Sequence, residues 1–341
     1  MGSARWFRLG IGLFLAIGAG WVLLSDLNAI WNGHPALPTI LLITVALGIV
    51  LVAFTFFPWQ LDPEPQGPPW EAAEGDRDRA GAAGSPDVRN TERRGLRLVR
   101  RSVFAGLALI LIGALAWLRP FGAGSDALAA MNSSASVTVI DTATSIEFVP
   151  PQPATVGLVF SPGARVDARA YAALLHPVAE AGYLVVVVKE PLGLAFLSPG
   201  QASNPIADHP EITRWAVGGH SLGGVVAAGF ANDHPGTIAG LLLWASYPSQ
   251  NLSADDNLQV LSIYGTNDLL TTTADVERSR ENLPPGSTFT RIDGGVHAYF
   301  ADYGDQPGDG RATVSREIAS TQISAATVAF LGRIADSRAA E

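Results

Sequence analysis

The sequence predicts an α/β domain, a mostly parallel sheet with helices on both faces, preceded by three transmembrane helices. Three observations lead there. The N-terminal third holds three long apolar stretches, the C-terminal part alternates apolar strand-like runs with helical patterns, and the charge divides between the two. The whole chain of 341 residues is 48% hydrophobic and only 16% charged, with a net charge of -9, more apolar than an average soluble protein.

The apolar stretches run from Trp6 to Leu24, Ala36 to Leu61 and Ser102 to Leu118; only the first contains a charge, Arg8 near its start. Each meets or approaches the ~20 apolar residues a spanning helix needs. We therefore expect a membrane region over 1–61 with spans at about 6–24 and 38–58, and a third span at 102–119. Arg5 and Arg8 precede the first span, and Arg93, Arg94, Arg97, Arg100 and Arg101 crowd the start of the third, whereas Ser25 to Pro35 has no Lys or Arg. The positive-inside bias then predicts a multi-pass protein of the cytoplasmic membrane, with the N-terminus inside and the C-terminal domain outside. Arg119 is the single dissenting charge. A cleaved signal peptide is the alternative for the first stretch and leaves the later topology unchanged.

Residues 62–92, rich in Pro, Gly, Ala, Asp and Glu without apolar periodicity, read as a disordered linker, so that 62–101 is a cytoplasmic linker ending in the Arg cluster. That cluster is a stop-transfer signal or, alternatively, a binding site for anionic headgroups. Ala16 and Gly20 offer small-residue positions for helix packing. Residues 1–134 carry 11 Arg against 10 acids, and residues 135–341 carry 11 basic against 21 acidic residues. The acidity belongs to the C-terminal domain and argues against nucleic-acid binding. With no cysteine, disulfides, thiolate nucleophiles and cysteine-ligated metals are excluded.

After a short extracytoplasmic linker at 120–136, the domain at 137–341 divides regularly. Strand-like runs lie at Val137 to Ile140, Ser145 to Val149, Thr155 to Phe160, Tyr183 to Lys189, Thr213 to Val217, Ile238 to Trp244, Leu258 to Tyr264 and Thr288 to Ile292. Helical patterns occupy Ala168 to Ala181, Leu222 to Asp233, Thr273 to Asn282 and about Thr313 to Arg333. Continuous apolar strands separated by helices are buried on both faces, as in a parallel sheet.

Gly219-His220-Ser221-Leu222-Gly223 sits between a strand and a helix. A tight strand-to-helix turn exposes a serine oxygen and tolerates no bulk beside it, which suits the glycines. A nucleophilic serine needs a base and an orienting acid, in the chain order Ser, acid, His. Asp268 follows one strand in Gly265-Thr266-Asn267-Asp268, and His297 follows the next in Gly294-Gly295-Val296-His297. Both belong at the carboxyl edge of the sheet, where open α/β sheets bind ligands. Asp293 and Asp275 are the runner-up acids, and Asp268 alone would also read as a helix cap. For an oxyanion, one donor is expected from the amide of Leu222, the other from Ala164 or Gly163 in the loop after the third strand.

On these residues the chain resembles the α/β-hydrolase superfamily, specifically the small lid-less hydrolases grouped near dienelactone hydrolases. Further matching stretches are Phe160 to Gly163, Lys189-Glu190-Pro191, Trp244 to Pro248, Tyr264 to Asp268 and Asp302 to Gly310. The resemblance covers about 140–333 and implies hydrolysis through an acyl-enzyme. A dienelactone hydrolase proper would carry Cys where this chain has Ser221.

Only Ser246 to Asn257 separates two strands after the turn, so no cap domain fits. Leu192 to Asp208, with Phe196, is either a substrate-side wall or a connecting loop. Glu190 is expected to pair with Lys189, with a substrate contact as the alternative. Asp302, Asp305 and Asp309 do not match an EF-hand and read as a polar loop over His297. No metal or cofactor is expected. The function expected is hydrolysis of a small or lipid-linked ester or lactone, with acyl transfer or a catalytically inactive tethered binding module as alternatives; substrate-binding residues are not assigned.

Overall fold

The computed structural model describes residues 3–56 and 88–337, which fall into two compact units, one of 3–24, 40–56 and 88–117 and the other of 25–39 and 118–337. Most of the expected linker lies outside the described residues.

The first unit contains the bulk of three long helices, α1 (Ser3–Ser25), α3 (Ala36–Phe56) and α4 (Val88–Trp117). All three are long and apolar enough to cross a membrane. Helix α4 begins upstream of the expected span, so the Arg cluster rides on the helix instead of ending the linker. Arg, Glu and Leu are good helix formers, and extending an existing helix is far easier than starting one. Small residues bring α1 and α3 together, but at Gly12, Ala16 and Gly48: a Cβ on Gly48 would lie 2.6 Å from the Ala16 nitrogen, whereas Gly20 has open space around it.

The second unit is built on one eight-stranded sheet. Its strands are β1 (Thr138–Asp141), β2 (Ser145–Val149), β3 (Val156–Ser161), β4 (Leu184–Val188), β5 (Arg214–His220), β6 (Ile238–Trp244), β7 (Gln259–Gly265) and β8 (Thr288–Ile292), in the spatial order β1-β2-β4-β3-β5-β6-β7-β8. The β1–β2 hairpin is antiparallel and pairs antiparallel with β4, while β3 to β8 run parallel. Side chains alternate across the sheet. Leu158 and Phe160 join one core with Leu174, Trp244 and Phe330, beneath α6 (Ala172–Glu180) and α10 (Arg316–Asp336). Val159, Val217 and Leu241 join the other, beneath α8 (Leu222–Asp233). Helix α10 also meets the length and hydropathy for crossing a membrane, yet its Ile323, Phe330 and Leu331 are part of this core.

This unit begins earlier in the chain than residue 137. The segment before α3 carries a short helix, α2 (Leu27–Asn32), whose N-terminus is capped by Asp26. Ala29 and Ile30 are buried, and Asn28 Oδ1 accepts a 2.9 Å hydrogen bond from Arg169. The Arg169 guanidinium in turn pairs with buried Asp167 at 2.6 Å. Phe121 is bridged to Val166, and Gly124, just before α5 (Ser125–Ala130), donates to the Asp302 carbonyl at 2.7 Å. The segment expected to be an outer loop and the segment expected to be a linker are therefore structural parts of the domain, because each buries apolar groups and completes hydrogen bonds there.

Truncating Ile30 tests this. Ile30→Ala is expected to destabilise the α/β unit by about 2–4 kcal/mol, measured by thermal unfolding of the detergent-solubilised chain. A loss no larger than the ~0.5 kcal/mol of an ordinary surface change would detach α2 from the unit.

Candidate active site

The carboxyl ends of the parallel strands gather the candidate residues. Strand β5 ends at His220, and Ser221 turns the chain directly into α8 with φ 52° and ψ -123°. That left-handed backbone is strained for any residue with a Cβ. It is held from both sides: the Ser221 amide donates to the Trp244 carbonyl at 3.0 Å, and the Ser246 hydroxyl donates to the Ser221 carbonyl at 2.7 Å. A Cβ on Gly219 would lie 2.4 Å from the Gly223 carbonyl carbon, and one on Gly223 would lie 2.1 Å from the Ser161 carbonyl oxygen. No other residue fits either position.

Asp268 lies just past β7 and His297 just past β8, both buried, with Nδ1 of the imidazole 2.8 Å from Asp268 Oδ2. The other carboxylate oxygen accepts amides from Leu270 at 2.8 Å and Thr271 at 2.7 Å. Asp268 thus caps its own loop and meets the histidine. An ionised carboxylate only accepts, so Nδ1 carries the proton and Nε2 is left as an acceptor. The His297 ring lies 4.5 Å from the ring of His220, the residue before Ser221. Asp293 is exposed beside Arg291, and Asp275 caps helix α9 (Thr273–Ser279) in a reciprocal box with Thr272. Neither runner-up acid reaches His297.

The Asp302 to Gly310 stretch contributes through Asp309, which sequence reasoning did not single out for this role. Its carboxylate accepts the amides of His297 at 3.1 Å and Ala298 at 2.8 Å, anchoring the backbone turn that carries the imidazole. Asp302 instead accepts the Ala127 amide at 3.0 Å. Among the described residues, no group of three His, Asp or Glu side chains is placed to hold a metal.

The loop after β3 distinguishes the two candidate oxyanion donors. The Gly163 amide donates to the Tyr171 hydroxyl at 2.8 Å, and that hydroxyl lies 2.9 Å from His220 Nδ1. The hydroxyl therefore joins the loop after β3 to His220, the residue before Ser221. Burial holds the His220 pKa well below the usual histidine value, the His297 ring adding to the effect. Burial likewise holds the Tyr171 phenol well above its ordinary range. His220 is thus a neutral strut and not a rival base. Gly163 is unavailable as a donor, whereas the amides of Ala164 and Leu222 have no protein acceptor among the described residues. Tyr171 was invisible to spacing arguments, because it reads as one more apolar position of a helix.

Glu190 departs from expectation. Lys189 turns away to Asp141, with Nζ 2.5 Å from its carboxylate and 2.6 Å from the Thr142 carbonyl. Glu190 instead accepts from the Ser198 hydroxyl. Burial pushes its carboxyl up to about 7, against the opposing hydrogen bonds of Ser198 and Ser161. The segment from Leu192 to Asp208, open between a substrate-side wall and a connecting loop, folds into two 3₁₀ turns and α7 (Ser203–Asp208), leaving Phe196 exposed.

The order of the strands, the parallel sheet with its antiparallel hairpin and the turn at Ser221 define an α/β-hydrolase fold. Residues 157–321 match the alpha/beta hydrolase family. No curated protein matches the chain.

Glu190 retains a proton in the fold that the unfolded chain, with a carboxyl near 4.5, releases; stability is therefore lost as pH rises from 4.5 to about 7, by up to about 3 kcal/mol. Glu190→Gln should become more stable than wild type as pH rises through that window, and a thermal-shift difference independent of pH would contradict this origin. Tyr171→Phe leaves the Gly163 amide and His220 Nδ1 without their shared partner, and is expected to cost about 1–3 kcal/mol in the same assay.

Proposed function

We propose that the protein is a membrane-anchored serine hydrolase of the esterase or lactonase type. In this reading Ser221 is the nucleophile, His297 its base and Asp268 the orienting acid. The observation that carries it is the buried Asp268–His297 pair, which leaves Nε2 as an acceptor at the sheet edge where Ser221 makes its strained turn.

The chemistry follows from these groups. His297 Nε2 takes the proton of Ser221 as Oγ bonds to the ester carbonyl carbon. The tetrahedral oxyanion accepts hydrogen bonds from the Leu222 and Ala164 amides, both set in rigid backbone, so little reorganisation is needed as charge develops. The carbon–oxygen bond to the alcohol breaks, and His297 delivers its proton to the leaving oxygen. Water, deprotonated by the same imidazole, then releases the acid and restores Ser221.

Three apolar helices ahead of the domain support anchoring. The Arg residues at 5, 8 and 93–101 support placing the domain on the extracytoplasmic face. Protease treatment of intact cells should then degrade it; full protection would reverse the orientation.

For the chemistry, a fluorophosphonate should label the wild-type chain at Ser221 and leave Ser221→Ala unlabelled. Asp268→Asn should lower kcat on small esters on the order of 10⁴-fold with the fold intact. Absence of labelling in the wild type would point to a non-catalytic binding module, and faster transfer to added alcohols than to water would make the reaction acyl transfer.

A further inference from the structure

Glu190, two residues past β4, begins a tight turn that borders the loop carrying the Ala164 amide. Its carbonyl accepts the Gly193 amide at 2.9 Å, and the Gly193 carbonyl accepts the Arg165 amide at 2.7 Å. The approach is close, since a Cβ on Gly193 would lie 3.0 Å from Arg165 Cα. At the other end of the same loop the Ser161 hydroxyl acts on the Glu190 carboxyl. The short stretch that holds Ala164 is therefore gripped at both ends by residues 190–193.

The carboxyl belongs to a chain of side-chain hydrogen bonds. Ser198 Oγ is bonded both to Glu190 and, at 2.8 Å, to Gln201 Oε1. Gln201 Nε2 donates to the carbonyls of Lys189 at 2.9 Å and Thr144 at 3.2 Å, which turns the amide oxygen towards Ser198. A carboxylate and an amide oxygen both accept, and one hydroxyl has a single proton to give. With Glu190 ionised, one of the two contacts at Ser198 is oxygen against oxygen without a proton. With Glu190 neutral, its carboxyl donates to Ser198 Oγ, the hydroxyl donates to Gln201, and the chain is complete.

The surroundings favour the neutral form. His34, Arg165, Asp167 and Lys189 line the small space beside Glu190. Lys189 is held by Asp141 and the Thr142 carbonyl, Asp167 pairs with Arg169, and the Arg165 guanidinium sits over the Phe121 ring. Burial, with Lys189 nearby, lowers the His34 pKa. The groups that oppose the burial of the Glu190 carboxyl are the hydroxyls of Ser198 and Ser161, not a cation.

We propose that Glu190 is a positioning residue of the hydrolase, a neutral carboxylic acid that holds the 190–193 turn against the oxyanion loop and so keeps the Ala164 amide in place. The proposal rests on the serine-hydrolase reading above. Loss of the proton leaves a buried charge and an unfilled contact at Ser198, and the turn loosens. Activity then has two limits. His297 must be neutral to act as base, which sets an acid limb; Glu190 must be protonated, which sets an alkaline limb that the Ser-His-Asp groups alone do not produce.

The test is the pH dependence of kcat for p-nitrophenyl acetate on the detergent-solubilised full chain. Rates are normalised to the sites titrated by a fluorophosphonate, and thermal unfolding verifies the fold at each pH. Losing one oxyanion donor costs on the order of 10²–10³-fold in kcat, so wild-type kcat should fall at least tenfold between about pH 7 and 9, with KM changing less than twofold. Glu190→Gln, whose amide donates to Ser198 but cannot ionise, should remove that fall. Ser198→Ala breaks the chain one bond further on and should lower kcat at least tenfold at neutral pH, again with KM within twofold. A wild-type kcat that stays flat to about pH 9, or a Glu190→Gln chain that falls as wild type does, overturns the proposal. Should Glu190→Gln fail to fold, an unchanged kcat in Ser198→Ala overturns it instead. A wild type that neither turns over the ester nor takes the fluorophosphonate would remove the hydrolase reading itself.

Discussion

Everything at the functional edge is arranged around backbone held where side chains disfavour it. The four non-glycine residues with left-handed φ among the described residues are Arg165, Leu192, Ser221 and Ala245, one following each of β3, β4, β5 and β6. Such conformations cost of order 1–3 kcal/mol each and persist only where the surroundings over-determine them. Here the sheet does so. The strand ends are fixed in register, and the carbonyls of Trp244 and Gly193 receive the amides of Ser221 and Arg165 at 3.0 Å and 2.7 Å. The strain at Ser221 lifts its side chain out of the sheet, and the glycines at 219 and 223 let the β3 loop and α8 close around it.

From this constraint the other contacts follow as a series of supports. His220, neutral and buried, fixes Tyr171, and Tyr171 fixes Gly163, so the loop following β3 is tied to the strand that ends beside Ser221. On the far side Asp309 fixes the His297 backbone while Asp268 fixes its ring. Two independent tethers on one imidazole restrict both where it sits and how it is turned.

The sheet is largely legible in the sequence because each strand is a run of apolar residues closed by turn formers, a pattern that a two-sided buried strand must have. Ser221, Asp268 and His297 are legible for a related reason: each directly follows such a run, and the parallel sheet brings those ends together. What is not legible depends on distant pairing. Lys189 chooses Asp141 over Glu190 because β2 pairs with β4 from Ser145 opposite Val188, which sets the hairpin turn beside Lys189. Tyr171 and Asp309 act through partners that local spacing cannot reveal. Helix α2 is hidden by its position between two apolar stretches, where Ser25 to Pro35 reads only as the short outer loop joining two spans.

That helix makes the α/β unit discontinuous in the chain, and this bears on the order of assembly. Residues 25–39 are synthesised before any strand of the sheet exists, yet Ile30 is buried in a unit whose remaining residues begin at Leu118. At 5–20 residues per second, the remainder of the chain takes roughly 15–60 s to emerge. Throughout that interval an apolar turn must wait without its partner. A hairpin of α1 and α3 would hold the two ends of the waiting segment near each other, making its eventual capture by the nascent sheet a short-range event.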